Sequence, residues 1–565
     1  MMAKYQNDRP ARQGNVIWND QMDNIPTFYY KPLEVPKEFQ YLPDRISEYL
    51  NGKTLFITGG SGFLGKVLIE KILRKAPNVT KIYMLMRSKK GKDAKQRIEE
   101  LFNSVVFSLL KKQHGNKIVE KVVPIAGDVS QANLGISPED RKLLHDSVEV
   151  VFHAAATIRF DEPLKKAVLL NTRGTKYMIE LAEEMKKLEV FLHISTAYCQ
   201  LDQKVLEETL YSCPNDPHKI IKSCELMDEE LVDKVSEKIL KEFPNSYAFT
   251  KNLSESLISD AINKGMPIIV LRPSIVIPTW LEPIPGWTDN INGPTGLLIG
   301  AGKGVIRTMY CDNSGYADYM PVDICVNGIL IALLNYAVFG NKHLKVYNVC
   351  SNEEWKITWQ QIIDVGKDII TNEVPLNNAV WYPGGSMKRS RFLHNICVIL
   401  FHMLPAYFID SLIYLAGHKP VLLRVQDRIN KGFEVFEYYA NNQWDFKNDN
   451  LRNLRNVLNE REKLEYCING TSMDMRLYFR DCILAARSYI LKEPPETIPG
   501  ARRHMRMMYW VDVLTRIAFL FFIFWFFMSS AGPLYNFGQT VYNLICHILS
   551  FFTTDSTVQS LKNEV

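Results

Sequence analysis

A chain of 565 residues with 47% hydrophobic and 23% charged residues is longer than one core usually organises, so more than one structural unit is expected. Its formal net charge of +5 is small for this length, and no basic tract is long enough to suggest a nucleic-acid partner. The ten cysteines form no Cys-x-x-Cys and pair with no His at zinc spacing, which argues against a metal site and for reduced thiols in a cytosolic protein.

Residues 1–50 read as an irregular lead-in, polar from Met1 to Asn24 and punctuated by Pro26, Pro32, Pro36 and Pro43, with no apolar run of the signal-peptide kind. From residue 51 to about 375 an α/β rhythm takes over. Thr54–Ile57 is a buried strand and Lys66–Arg74 continues a helix. Further strands are expected at Lys81–Met86, Val122–Ala126, Val148–Phe152, Val190–Ile194 and Ile268–Leu271. Short apolar runs alternating with helical spacing predict a Rossmann-like, doubly wound parallel sheet covered on both faces. A charged insertion, roughly Leu201–Pro244, interrupts this rhythm, and Glu225–Lys241 within it reads as an added helix that either caps a substrate channel or lies on the solvated surface.

Residues 376–492 read as a helical C-terminal domain. Phe392–Ala416 is apolar but broken by His394, His402, Pro405 and Asp410, which suits a packed or membrane-facing helical hairpin more than a spanning helix. Val421–Tyr439 and Met473–Leu491 have helical spacing with mixed charge, and residues 493–510 form a linker. The tail, 511–553, is a membrane-anchoring segment. From Ile517 to Thr554 it has no Asp, Glu, Lys or Arg, it is dense in Phe, and Gly532-Pro533 is expected to divide it into two apolar stretches. Arg502, Arg503, Arg506 and Arg516 precede it, so the positive-inside rule keeps the bulk of the protein cytosolic.

Thr58-Gly59-Gly60-Ser61-Gly62-Phe63-Leu64-Gly65 follows the first strand and opens the first helix. Gly59, Gly62 and Gly65 suit a tight turn, backbone approach to a pyrophosphate and close helix–sheet packing, with free N–H groups and the positive dipole end at the helix start. Thr58, Phe63 and Leu64 flank these glycines. The second strand ends in Arg87 rather than in the carboxylate that binds ribose hydroxyls in NAD sites, and a guanidinium suits a 2′-phosphate, so NADPH is the expected cofactor. Asp128, after the third strand, is placed to accept from the adenine amino group. Ala154, among the small residues ending the fourth strand, lets a cofactor lie across it. His153 there is given no chemistry.

Ser195 and Thr196 follow the strand ending at Ile194, and Tyr247 and Lys251 stand four apart on one helix face. The phenol can donate a proton to a carbonyl oxygen, and either hydroxyl can bond the same oxygen. Lys251 can lower the phenol pKa by its charge and can reach the nicotinamide ribose. The ordered set, a glycine turn, a strand-end hydroxyl and then Tyr-x-x-x-Lys, describes carbonyl reduction.

These motifs resemble the extended short-chain dehydrogenase/reductases. Thr58–Arg74, His153–Gly174 and Ser246–Glu255 resemble more narrowly the fatty acyl-CoA reductases of the male-sterility type, as do Leu404-Pro405-Ala406, Asp410, Gly417-His418-Lys419-Pro420 and Trp444-Asp445-Phe446. The resemblance implies reduction of a long-chain acyl-CoA to a primary fatty alcohol with NADPH, through an aldehyde, with release of CoA and without a nucleophilic cysteine. It assigns the catalytic pair to Tyr247 and Lys251, the hydroxyl to Thr196 or Ser195, and the phosphate glycines to Gly59, Gly62 and Gly65. The implied partners are the acyl-CoA and membrane lipid, with no metal and no nucleic acid. The implied location is the cytosolic face of the endoplasmic reticulum, the peroxisome membrane or a lipid droplet. Two other readings fit the site chemistry: a membrane-bound dehydrogenase or epimerase of sterols or sugar nucleotides, and a non-catalytic NADPH-binding scaffold.

Overall fold

The computed structural model describes residues 34–552 except 89, 90, 242, 292, 352, 353 and 355, together with two short strands, Val16–Trp18 and Pro26–Phe28, that pair antiparallel. Its centre is a seven-stranded sheet. In chain order the strands are β1 (Thr54–Thr58), β2 (Lys81–Met86), β3 (Val122–Ala126), β4 (Val150–His153), β5 (Val190–Ile194), β6 (Ile268–Pro273) and β7 (Val346–Val349). They lie in the order β7-β6-β5-β4-β1-β2-β3, every neighbour parallel. The strand order reverses between β1 and β4, and a parallel sheet binds its ligand in the crevice at that point.

All five residues of β1 are buried, as a central strand with covered faces requires. Leu55 and Ile57 point into one core layer and Phe56 into the other. The first layer is closed by α1 (Phe63–Lys75), through Val67, Leu68, Ile69 and Ile72, and by the almost wholly buried Val322–Ala337 helix. The second is closed by α2 (Ser246–Asn263), through Phe249, Leu253 and Leu257. The doubly wound sheet expected from the alternating pattern is therefore present.

Several boundaries differ from the sequence reading. The lead-in ends in a helix, Arg45–Leu50, which the prolines around it concealed. Asp44 caps it by accepting from the Ser47 N–H at 3.0 Å, and Ile46 and Leu50 enter the core. The insertion holds two helices, Pro217–Leu226 and Glu229–Leu240, because Asp216 and Asp228 each cap a separate start. Its strand Val205–Leu206 pairs with Asp445–Phe446 from the far end of the chain. The C-terminal helical region packs closely on the rest of the chain. Leu451, Leu454, Tyr466 and Tyr478 pack into the same core layer as α1, and the Glu462 carboxylate accepts from the Arg45 backbone N–H at 3.0 Å and from its Nε at 2.9 Å.

Three longer helices complete the C-terminal half: α3 (Arg391–Leu415), α4 (Leu422–Asn441) and α5 (Ile498–Phe552). The stretch Phe392–Ala416, expected to be a hairpin in itself, is instead the single helix α3, and α4 is the arm that returns along it. Asp410 accepts from the N–H groups of Val421, Leu422 and Leu423 at 2.9–3.0 Å, which fastens the start of α4 to α3. Residues 493–510 are not a linker. Glu493 is buried between Lys303 and Arg487 at 2.6 and 3.0 Å, and α5 begins at Ile498 with Pro499 in its first turn, where a missing N–H costs nothing. The helix continues through Gly532-Pro533 instead of breaking; long apolar helices retain prolines when the remaining backbone bonds hold. Arg391–Leu415 and Pro495–Ser529 are long and apolar enough to cross a membrane, and most of both surfaces is exposed.

Candidate active site

The turn between β1 and α1 is built so that backbone lies against backbone. Gly59 has φ 74°, and a Cβ there would sit 2.5 Å from the Ala154 carbonyl oxygen at the end of β4. A Cβ on Gly65 would meet the Gly59 carbonyl oxygen at 2.4 Å. Gly62 occupies the cap position of α1, and no side chain caps it. The first-turn N–H groups, from Phe63 onward, are thus left for an anion. The Thr58 hydroxyl, 2.7 Å from His153 Nδ1, accepts from the Ala155 N–H at 3.2 Å and binds the ends of β1 and β4 together. His153 also meets the Thr175 hydroxyl at 3.0 Å; burial, and then the charge of Lys251, holds its pKa down at about 3. It is a neutral core group. These features fit a pyrophosphate: a cradle that side chains would fill, and a helix start without a cap.

Arg87 and Asp128, from the ends of β2 and β3, approach to 3.9 Å. Asp128 Oδ1 already accepts from the Ser130 N–H and hydroxyl at 2.9 and 2.8 Å, which leaves Oδ2 for any further donor. Arg97, which sequence reading missed, donates to the Arg87 carbonyl, and its own pKa is lowered by burial and by the Arg87 charge. Two guanidinium groups therefore share this corner.

At the other end of the crevice, Thr196 lies close enough to Tyr247 to lower the phenol pKa. Its hydroxyl is fixed by the Tyr198 N–H at 3.2 Å and by the Pro273 carbonyl at 3.5 Å. Ser195 faces the buried Cys199 and Glu255 instead. The two hydroxyls that sequence left open thus have different neighbours. Tyr247 is half-buried on the first turn of α2, where Asn245 caps the helix at 2.9 Å. Burial pushes its pKa up to about 12, against the lowering effect of Thr196. Lys251 is buried one turn on and donates to the Ile194 carbonyl at 2.8 Å. Its own pKa is lowered by burial to about 8, while the Glu255 charge pulls the other way. The expected lowering of the phenol pKa by Lys251 is not seen: desolvation dominates at Tyr247, and the ammonium is engaged with the strand carbonyl.

Three further features were not found from sequence. Glu255, the next turn of α2, forms a two-point ion pair with Arg272 of β6 at 2.9 and 2.7 Å. Asn171 lies in a π-helical segment, Val168–Arg173, a distortion that recurs at functional sites. It accepts from the Thr157 N–H at 2.8 Å and donates to Thr250 at 2.9 Å. Finally, Phe160 packs against Tyr247 and stacks on Tyr439 of α4, with ring centroids 5.5 Å apart in both pairs, so the C-terminal half contributes a wall of the site. The aromatic residue at position 439 comes from far along the chain, and no local spacing marks it. Among the described residues, no group of three or more His, Cys, Asp or Glu is placed to hold a metal ion.

Such an arrangement can bind a dinucleotide along the strand ends and present a protonated phenol and a hydroxyl to a carbonyl oxygen. Comparison with known proteins agrees. The family described as male sterility protein matches in two parts, a nucleotide-binding part over residues 57–329 and a second, sterile, part over residues 401–493. Fatty acyl-CoA reductase 1 of Mus musculus is 35% identical over 91% of this chain and 99% of its own length. The fatty acyl-CoA reductase wat of Drosophila melanogaster is 36% identical over 81% of this chain and 88% of its own. Among solved structures, the reductase domain of a non-ribosomal peptide synthetase from Mycobacterium tuberculosis shares the fold, with a TM-score of 0.51 at 17% identity, covering 80% of this chain and 96% of that one. The chain belongs to the fatty acyl-CoA reductases, oxidoreductases that bind a nicotinamide dinucleotide and reduce fatty acyl-CoA to the alcohol.

Proposed function

We propose that this reductase takes long-chain acyl-CoA, draws its reducing equivalents from NADPH, and works at a membrane surface with its site on the cytosolic side. The observation that carries the catalytic reading is the approach of Thr196 to Tyr247 at the end of the crevice, with Lys251 one helical turn away. The glycine cradle, the uncapped start of α1 and the Arg87–Arg97 corner are the residues that would hold the dinucleotide. Each NADPH bound there would supply one hydride, so the two successive reductions consume two NADPH.

Tyr247 and Thr196 face the substrate carbonyl oxygen and hold the charge that develops on it. With its pKa near 12, the phenol keeps its proton at neutral pH and can give it to that oxygen. The resulting hemithioacetal returns its hydroxyl proton to the Tyr247 phenolate as it collapses with loss of the CoA thiolate, leaving an aldehyde. The same two groups then polarise the aldehyde oxygen, and Tyr247 protonates the alkoxide to the primary alcohol. Lys251, still largely charged below pH 8, is the group suited to the nicotinamide ribose and to restoring the phenol proton.

Two exposed apolar helices and the arginines ahead of α5 support anchoring, at the endoplasmic reticulum, the peroxisome membrane or a lipid droplet. Each buried methylene of an acyl chain favours the membrane by about 0.8 kcal/mol, so tethering concentrates the enzyme beside substrate and product. The test is alcohol formation from a panel of acyl-CoAs by membranes containing the wild type or Tyr247→Phe. The variant is expected to bind NADPH and to form no alcohol. Unchanged turnover in the variant would remove the phenol from the mechanism.

A further inference from the structure

Both α3 and α5 are apolar enough to cross a bilayer, but only α5 is free to do so. From Phe392 to Ala416 the single charged residue is Asp410, and it is buried. Its carboxylate is taken up by the N–H groups of Val421, Leu422 and Leu423 at the start of α4. The buried residues of α3 are His394, His402, Ala406 and Asp410, spaced by multiples of four. In a regular α-helix a four-residue repeat drifts around the axis by about 40° at each step. The π-helical turn Ile399–Met403 holds more residues per turn and reduces that drift, so one side of the helix collects all four.

That inner face lies on the protein along its length. His394 Nδ1 is 3.2 Å from the Thr308 hydroxyl, His402 Nε2 accepts from the Arg307 N–H at 2.8 Å, and Asp410 holds α4. The opposite face carries Phe392, Leu404, Phe408, Leu412 and Leu415, each at least half exposed. From His394 to Asp410 is about 24 Å of helix, most of the roughly 30 Å of a bilayer core. A spanning α3 would have to leave all three contacts and draw in α4, which carries the exposed Arg424, Asp427, Arg428 and Lys431. α5 has no inner face beyond Arg516: Phe519, Leu520, Phe521 and Phe522 are four consecutive exposed residues, a full turn of helix. Arg307 joins the two helices. Its backbone N–H meets the middle of α3, and its guanidinium is 3.3 Å from Asp512 of α5. Arg516, 2.7 Å from Asp512, is the last charged residue before the apolar run. The bare face of α3 therefore adjoins the place where α5 leaves the protein.

We propose that α3 lies in the plane of the bilayer surface, its bare face sunk into the cytosolic leaflet, and that α5 is the helix that crosses. The inference rests on the membrane reading under Proposed function and adds which face of the globular part meets lipid. Lipid is the occupant that fits. The face is continuous with the spanning helix, it presents no charge, and Tyr407 and Tyr414 are exposed beside it, a residue type that collects at the headgroup level. Lys419, exposed just past the end of α3, stands where lipid phosphates would be. An interfacial helix sinks its apolar face about 5–10 Å. Here the other face is held by protein instead of water, so α3 and α5 together fix one orientation of the enzyme on the leaflet.

The experiment uses the full chain in phosphatidylcholine vesicles that carry a photoactivatable phosphatidylcholine, its diazirine either near the headgroup or at the end of the acyl chain. Label is mapped by mass spectrometry. The shallow probe is expected on residues 392–416, at Leu404 and Phe408 but not at Ala406. The deep probe is expected on residues 517–529 and not on 392–416. The double variant Leu404→Glu, Phe408→Glu changes only exposed positions, so the fold should stand; it should lose the label on 392–416 and keep that on 517–529. Deep label on all sides of α3 would show that it crosses, and label on 517–529 alone would show that its face does not meet lipid. Either result, or label on 392–416 retained in the variant, overturns the inference and leaves α5 as the anchor. Label on neither segment removes the membrane reading as well. Alcohol formation from palmitoyl-CoA, measured in parallel, reports on the reductase reading independently of both probes.

Discussion

Arg272 of β6 grips Glu255 of α2 fork to fork, both side chains fully buried, directly behind the turn that carries Lys251. The guanidinium also donates to the carbonyls of Glu207 and Thr209 at 3.1 and 2.8 Å, and the Cys199 thiol donates to the same carboxylate at 3.2 Å. One ion pair therefore ties the catalytic helix, the sheet and the start of the charged insertion together. Removing one partner leaves a buried charge alone, which costs about 3–5 kcal/mol. Glu255→Gln should lower the urea midpoint accordingly. It should also move the pH limit of activity to lower pH, because the Glu255 charge is what raises the Lys251 pKa against desolvation. A stability loss with an unmoved pH limit would make Glu255 purely structural.

Lys251 itself gives the enzyme a pH limit. Its pKa, lowered to about 8, means that the ammonium loses its proton just above neutrality, so kcat/KM should fall above pH 8. Tyr247, near 12, adds no second limb in the accessible range. Stability runs the other way. Between pH 8 and the ordinary lysine value of 10.5, the unfolded chain holds a proton that the folded chain has lost, so this group's contribution to stability rises with pH across that window. Rate and thermal-denaturation profiles on one preparation check both signs. A rate that stays level to pH 10 would show that the charged form is not needed.

Thr196 and Ser195 are neighbours, yet one faces the phenol and the other faces Glu255. Thr196→Val should cost about 10²–10³ in kcat, the range for losing one donor to a developing oxyanion, and Thr196→Ser should restore most of it. Ser195→Ala should cost less in kcat and more in stability. The reverse order would exchange their roles.

What sequence made legible here is what local chemistry writes. The five residues of β1 are β-branched or apolar because both faces are covered, and the glycines after them sit where backbone meets backbone, so strand, turn and helix could be read in place. The Tyr247–Lys251 spacing is equally local. The helix Arg45–Leu50 was missed because four prolines suggested coil, while its Asp44 cap and its partner Glu462 lie in different parts of the chain. Tyr439 was out of reach for the same reason: it meets Phe160, and its hydroxyl takes a bond from Asn245, 194 residues earlier. How the C-terminal helices pack was not legible, because an apolar face in sequence does not say what it will cover. Tyr466 and Tyr478 cover the layer under α1.

The proposed preference for NADPH rests on Arg87 and Arg97. Their positive groups crowd one corner at the end of β2, and the Asp128 carboxylate, 3.9 Å from Arg87, offsets little of that at half exposure. A corner with excess positive charge favours a ligand carrying a further phosphate there, which distinguishes NADPH from NADH. Arg87→Ala should raise the KM for NADPH by about 10–150-fold, the worth of hydrogen bonds to a charged group at about 1.5–3 kcal/mol, with a smaller effect on kcat and almost none on the NADH constants. Arg97→Ala should act in the same direction more weakly, since its contact is to the Arg87 carbonyl rather than to the ligand. Added salt should weaken NADPH binding more than NADH binding in the wild type and erase that difference in Arg87→Ala. Equal wild-type efficiency with the two dinucleotides would falsify the assignment, because two guanidinium groups at the ribose end would then be discriminating nothing.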